Sequence, residues 1–200
     1  FDTDSSANWT VRAGYFEGSD PTDFSVDWAF DYSQLTVKSY KSATDVEPVE
    51  IPIPPAPNSA SGTSRGVRVY VNSKDDLAER MALNLYPKDK SFSGDFVLKF
   101  DLFLNHGAYA DTGAGTTEYA IAGINHGGEF INWFVLTGTA LTEAFKTTAI
   151  GRDNSDGIFF GLTGEGGAAR DFVSLQGGGP GQPPVPRLAD ASGGLMDRNG

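Results

Sequence analysis

The chain has 200 residues, a formal charge of −11, an isoelectric point near 4.5 and no cysteine. That charge repels the phosphates of nucleic acids and anionic lipids, which opposes both as partners and leaves neutral glycans, cations and basic proteins. The missing cysteines exclude a disulfide, a thiol nucleophile and a thiolate metal site, and no stretch is apolar and long enough for membrane insertion.

This length fits one large domain, and a content of 39% hydrophobic and 12% aromatic residues suffices for a packed interior. With 25 glycines and 11 prolines, the chain is expected to be rich in turns and poor in helix. The opening FDTDSS has neither Met nor a basic, apolar leader, so it reads as a mature or processed product whose export signal is gone. The expected location is therefore secreted or cell-surface.

In chain order, the first predicted strand is Ser25–Tyr32, where Val26, Trp28 and Phe30 alternate and are expected to face the core. Glu47–Ser64 concentrates proline and small polar residues and reads as an extended surface crossover. Strands are predicted at Gly66–Asn72 and Met81–Tyr86, with a single helical turn at Lys74–Glu79 between them. The clearest strand is Asp95–Asn105. Phe96, Leu98, Phe100, Leu102 and Leu104 fall on one face, and Val97, Lys99, Asp101 and Phe103 on the other. Thr117–Asn125 and Ile131–Leu136 follow as strands, the latter placing Trp133 beside Ile131 and Val135, and Ala140–Thr147 is the longest helix candidate. Gly157–Thr163 and Arg170–Leu175 complete the predicted strands. The turns are punctuated by Asn72–Asp75, Ser93–Asp95, Asn125–Gly128 and Asn154–Gly157, residues that accept positive φ or bond their own backbone. Many short strands so punctuated predict an all-β sandwich over residues 1–176. Residues 177–200 read as a Gly/Pro-rich irregular tail or a truncated continuation, which leaves sheet edges for another chain to complete.

The segments FDTDSSANWTV (1–11), FDYS (30–33), IPPAPNSASGTSRGVRVYVN (53–72), FSGDFVLKFDLFLN (92–105), GTTEYAIAGINHGG (115–128) and SDGIFFGLTGEGGAARDFVSLQ (155–176) resemble the concanavalin A-like, LamG-like lectin and glucanase domains of large exported bacterial proteins. The resemblance implies an antiparallel two-sheet jelly roll, export, and involvement with glycans or cell-surface architecture. The Glu-x-Asp-x-x-Glu strand of the glucanase branch, whose alternate carboxylates project together into a cleft, is absent from this sequence.

Candidate site residues follow from their chemistry. Glu165 and Asp171 flank the turn GEGGAAR and, with Arg170, make a polar site at a sheet edge; solvated loop charges with one Arg–carboxylate pair are the plainer alternative. Trp9 and Tyr109 are the aromatic residues open to stacking on a sugar, while Trp28 and Trp133 read as core. For structural calcium, an oxygen-seeking ion, the candidates are Asp2 and Asp4 at the start and Asp153 and Asp156 later; turn chemistry alone also explains these loops. His106 and His126 lie in matching Asn-His-Gly contexts, which suit turns better than a metal site. Gly164–Gly167 and Gly177–Gly181 lack the spacing and lysine of phosphate-binding loops. The first expectation is thus a non-catalytic lectin-like module for glycan binding or adhesion. Its rivals are a self-assembling surface or filament subunit, joined to other copies through open strand edges, and a glycan-active hydrolase or lyase.

Overall fold

The computed structural model describes residues 1–15, 20, 22–39, 49–58, 62–71, 81–104, 119–131, 154–163, 172–177, 179–180 and 185–186. They form strands joined by turns, with a single 3-10 turn at Ser6–Asn8 and no α-helix among the described residues. The strands are β1 (Trp9–Tyr15), β2 (Phe24–Asp31), β3 (Thr36–Ser39), β4 (Val49–Pro52), β5 (Arg65–Val71) and β6 (Met81–Pro87), followed by β7 (Tyr119–Ile124), β8 (Asn154–Ser155), β9 (Ile158–Thr163), β10 (Phe172–Gln176), β11 (Gly179–Pro180) and β12 (Val185–Pro186). All of their pairings are antiparallel.

The first six strands pair concentrically. β3 pairs with β4, β2 with β5 outside them, and β1 with β6 outside those. The register runs from Trp9 opposite Pro87 to Tyr15 opposite Met81 in the outer ladder, and from Thr36 opposite Pro52 to Ser39 opposite Val49 in the inner one. Part of Glu47–Ser64, read from the sequence as an extended surface crossover, is a paired strand, Val49–Pro52. Pro52 tolerates this place at the end of an edge ladder, where its missing N–H costs nothing. Leu35 and Ile53 extend the ladder by one bond, Ile53 N–H to the Leu35 carbonyl at 3.3 Å.

The later strands form a four-stranded sheet in the order β12–β10–β9–β7, with β8 and β11 paired separately. In β9 the alternation is strong: Phe159 and Gly161 are buried, while Ile158 and Phe160 are exposed. Phe159 lies against Gly123 of β7, directly opposite it, where an added Cβ would come within 2.7 Å of the Phe159 Cβ. Gly123 therefore gives the phenylalanine the room to turn inward. Residues 177–200, expected to be irregular, contribute the two short strands β11 and β12.

Two further expectations are corrected. Asp95–Asn105, the most regular strand pattern in the sequence, joins no ladder over its described residues 95–104. Alternation fixes which side chains share a face but does not supply a partner for the backbone. Val26, Trp28 and Phe30 also do not share one face, because the β2–β5 register shifts between Asp27 and Phe30. Ala29 takes φ +57, and the extra residue turns Phe30 onto the side of Asp27. The Arg65 guanidinium donates to the Ala29 carbonyl at 3.1 Å, satisfying an acceptor that the bulge removes from the ladder.

The turn expectations at Asn125–Gly128 and Asn154–Gly157 agree with the backbone, since Asn125, Gly128 and Gly157 have φ of +60, +76 and +77. Lys74–Glu79, Ala140–Thr147, residues 132–136 with Trp133, His106 and Asn72–Asp75 lie outside the described residues, as do Thr117 and Glu118.

Candidate functional site

Next to the bulge in β2, the Trp9 and Trp28 rings stack with centroids 6.1 Å apart and planes 26° apart. Phe1 closes the group, 5.6 Å from Trp9 and 6.1 Å from Trp28. Phe1 is 51% exposed and both indoles are half-buried, so the cluster presents ring surface to solvent. Its edge is polar. Asp2 accepts a hydrogen bond from the Thr63 hydroxyl, which ties Phe1–Asp2 to the chain entering β5.

Beside it, Tyr32 and Asp31 organise the same crossing. The Tyr32 hydroxyl donates to the Thr63 carbonyl at 3.1 Å and accepts from the Ala56 N–H at 3.2 Å. Asp31 accepts from the Ser33 N–H at 3.0 Å and from the Ser64 hydroxyl at 2.7 Å. These donors, the Ser33 backbone first, with a smaller contribution from the Arg65 charge, hold the Asp31 carboxyl down to about 2. On the opposite face of β2 and β5, Arg68 pairs with Asp27 through its Nε at 2.8 Å and lies 3.7 Å over the Phe30 ring and 4.9 Å over that of Tyr70. A guanidinium held between a carboxylate and two rings is a rigid, half-exposed brace.

Of the sequence-predicted residues, Trp9 lies in the aromatic cluster. Tyr109, Glu165, Arg170, Asp171 and Asp153 lie outside the described residues. Asp4 accepts from the Ser6 N–H at 2.8 Å, a bond that lowers its pKa from the ordinary 3.8 and serves the 3-10 turn. Asp156 accepts from the Gly127 N–H, fastening the turn after β7 to the turn before β9. Asp2, Asp4 and Asp156 thus act singly as acceptors. No three acidic or histidine groups converge among the described residues.

Phe1 and Trp28 are the site residues that sequence reasoning missed. Alternation pointed Trp28 inward, and nothing in the sequence marks a bulge whose positive-φ residue is alanine, where glycine or asparagine is usual.

A second cluster gathers Tyr86, Asn84 and His126. The buried Tyr86 hydroxyl donates to the Phe130 carbonyl at 2.8 Å, lies 3.3 Å from the Asn84 side-chain oxygen, and its ring packs 4.5 Å from that of His126. His126 Nδ1 is buried without a hydrogen-bond partner among the described residues. Arg12 of β1 reaches the Gly128 carbonyl at 3.5 Å. The cluster pins the turn after β7 onto β6.

No family model, curated protein or solved structure matches this chain. The chemistry open to the chain is that of its own residues. Among them, the ring cluster with its polar border is the arrangement best suited to holding a ligand. Among the described residues, too, no helix is long and apolar enough to cross a membrane.

Proposed function

We propose that the chain is a non-catalytic, glycan-binding module of an exported or cell-surface protein, built on a jelly-roll sandwich. The observation that carries this reading is the Phe1–Trp9–Trp28 cluster, three rings within 6.1 Å of one another and open to solvent. The apolar C–H face of a pyranose stacks on such rings, while its hydroxyls find partners in groups like Asp2 and Thr63 at the border. The net charge of −11 favours a neutral glycan over an anionic one.

The concentric pairing of β1–β6, β2–β5 and β3–β4 supports the jelly roll, because a long antiparallel ribbon rolled upon itself pairs its strands in this nested order. A glycan-array screen with and without EDTA tests the function. Binding to neutral glycans in both conditions, with a Kd raised about tenfold by Trp9→Ala, ~1.4 kcal/mol, is the expected result. Silence of the wild-type chain in both conditions, or an unchanged Kd in the variant, overturns it.

A second reading, a self-assembling structural subunit, is favoured by a different observation. Residues 95–104 are patterned as a strand, unpaired among the described residues, and largely exposed.

A further inference from the structure

We propose that residues 95–104 pair with the same segment of a second copy of this chain, antiparallel and centred on Phe100, to make a two-fold symmetric dimer. Exposure is the first ground. Val97 is 76% exposed, Phe100 55% and Leu98 54%, and Phe96, Leu102 and Phe103 are also open. An apolar run of this length that joins no ladder among the described residues is a template for strand addition.

The sequence of the segment selects the occupant. With Phe100 opposite its own copy, Leu98 faces Leu102, Phe96 faces Leu104 and Val97 faces Phe103, so apolar residues meet apolar residues on both faces. In the same register Lys99 of each copy faces Asp101 of the other, giving two opposite-charge pairs from the segment's only charges between Phe96 and Leu104. Centring on Lys99 or on Asp101 sets a like charge against itself, and so does parallel in-register stacking. A shift by one residue puts the apolar face of one copy beside the charged face of the other. The register centred on Phe100 is the self-complementary one, and a two-fold interface requires self-complementarity.

Asp101 is already held in place. Its carboxylate accepts from the Asn58 N–H at 2.8 Å and from the Asn58 side-chain amide at 2.6 Å, which anchors the middle of the segment to the loop after β4. A carboxylate has lone pairs enough to accept from a lysine as well.

The absence of cysteine makes the test clean. Residues directly opposite in an antiparallel pair have Cα atoms about 4.5–5.5 Å apart, within disulfide reach. Phe100→Cys should therefore cross-link to a covalent dimer under mild oxidant far faster than Phe92→Cys, whose side chain is 65% exposed and lies outside the paired segment. Sedimentation of the wild-type chain should show a concentration-dependent dimer that Lys99→Asp abolishes. Equal cross-linking of the two cysteine variants overturns the proposal. So does a wild-type chain that is monomeric up to its solubility limit, and amide protection over residues 96–104 in that monomer would assign the segment to a partner within its own chain. Glycan binding by Phe100→Cys at wild-type affinity keeps this outcome separate from that of the aromatic cluster.

Discussion

Replacing Gly123 with alanine tests the β7–β9 ladder at its tightest point. The new Cβ would lie 2.7 Å from the Phe159 Cβ, 2.9 Å from the Ile158 carbonyl oxygen and 3.3 Å from the Phe159 Cα. Carbon atoms settle at roughly 3.5–4.0 Å, so the contact is short by nearly an ångström, and two of the three atoms belong to backbone already fixed in a ladder. Overpacking of this kind costs ~1–3 kcal/mol, offset by the ~0.5–1 kcal/mol that alanine regains over glycine in a strand. The expected net loss is about 0.5–2 kcal/mol. Gly66→Ala is the control. Its Cβ would meet the Tyr32 ring at 3.7 Å, an ordinary contact, so this variant should be neutral or slightly stabilised. Urea unfolding followed by tryptophan fluorescence should give a lower midpoint for Gly123→Ala with an unchanged slope. Equal midpoints for the two variants would refute the account of why glycine occupies position 123.

Ala29→Gly should stabilise the chain, because a left-handed alanine costs about 1–2 kcal/mol against ~0.5–1 kcal/mol for the added freedom of glycine; thermal unfolding should show a raised Tm. The Asp31 carboxyl should titrate near 2 by NMR, and Ser64→Ala should move its midpoint up toward 3.8 by removing one donor. Since the folded value is depressed, the stability carried by ionised Asp31 is fully present above 3.8 and is lost as pH falls through about 2. Ser64→Ala should therefore narrow the pH range over which acid destabilises the fold, and an acid-unfolding series on the two proteins checks this.

The all-β character was legible because alternation and turn residues act locally. β2, β5, β6, β7, β9 and β10 fall within one or two residues of the predicted strands over their described length, and the turns at Asn125 and Gly157 carry the positive φ that their sequences suit. Pairing was not legible. Val49–Pro52 looked like crossover because the prolines in and around it mask strand propensity, yet it has β3 as a partner. Phe96–Leu104 looked like the firmest strand because five apolar residues alternate, yet a face is not a hydrogen-bond partner. The candidate site was half legible: Trp9 could be named from its place near the start of the chain, but that Phe1 and Trp28 pack against it depends on contacts between distant segments, which alternation along one strand does not encode.

The concentric ladders also set an order of assembly. To form the inner ladder, the chain need only close residues 40–48, whereas β2 and β5 are separated by residues 32–64 and β1 and β6 by residues 16–80. Each closure brings the next pair of strands together, so most of the loop entropy of the outer ladders has already been spent when they zip. The contacts between Trp9 and Trp28, which bridge the two outer ladders, are then among the last to form. Substitutions there should speed unfolding and leave the folding rate nearly unchanged, so the rings that we assign to ligand recognition can vary without slowing the route by which the chain reaches its fold.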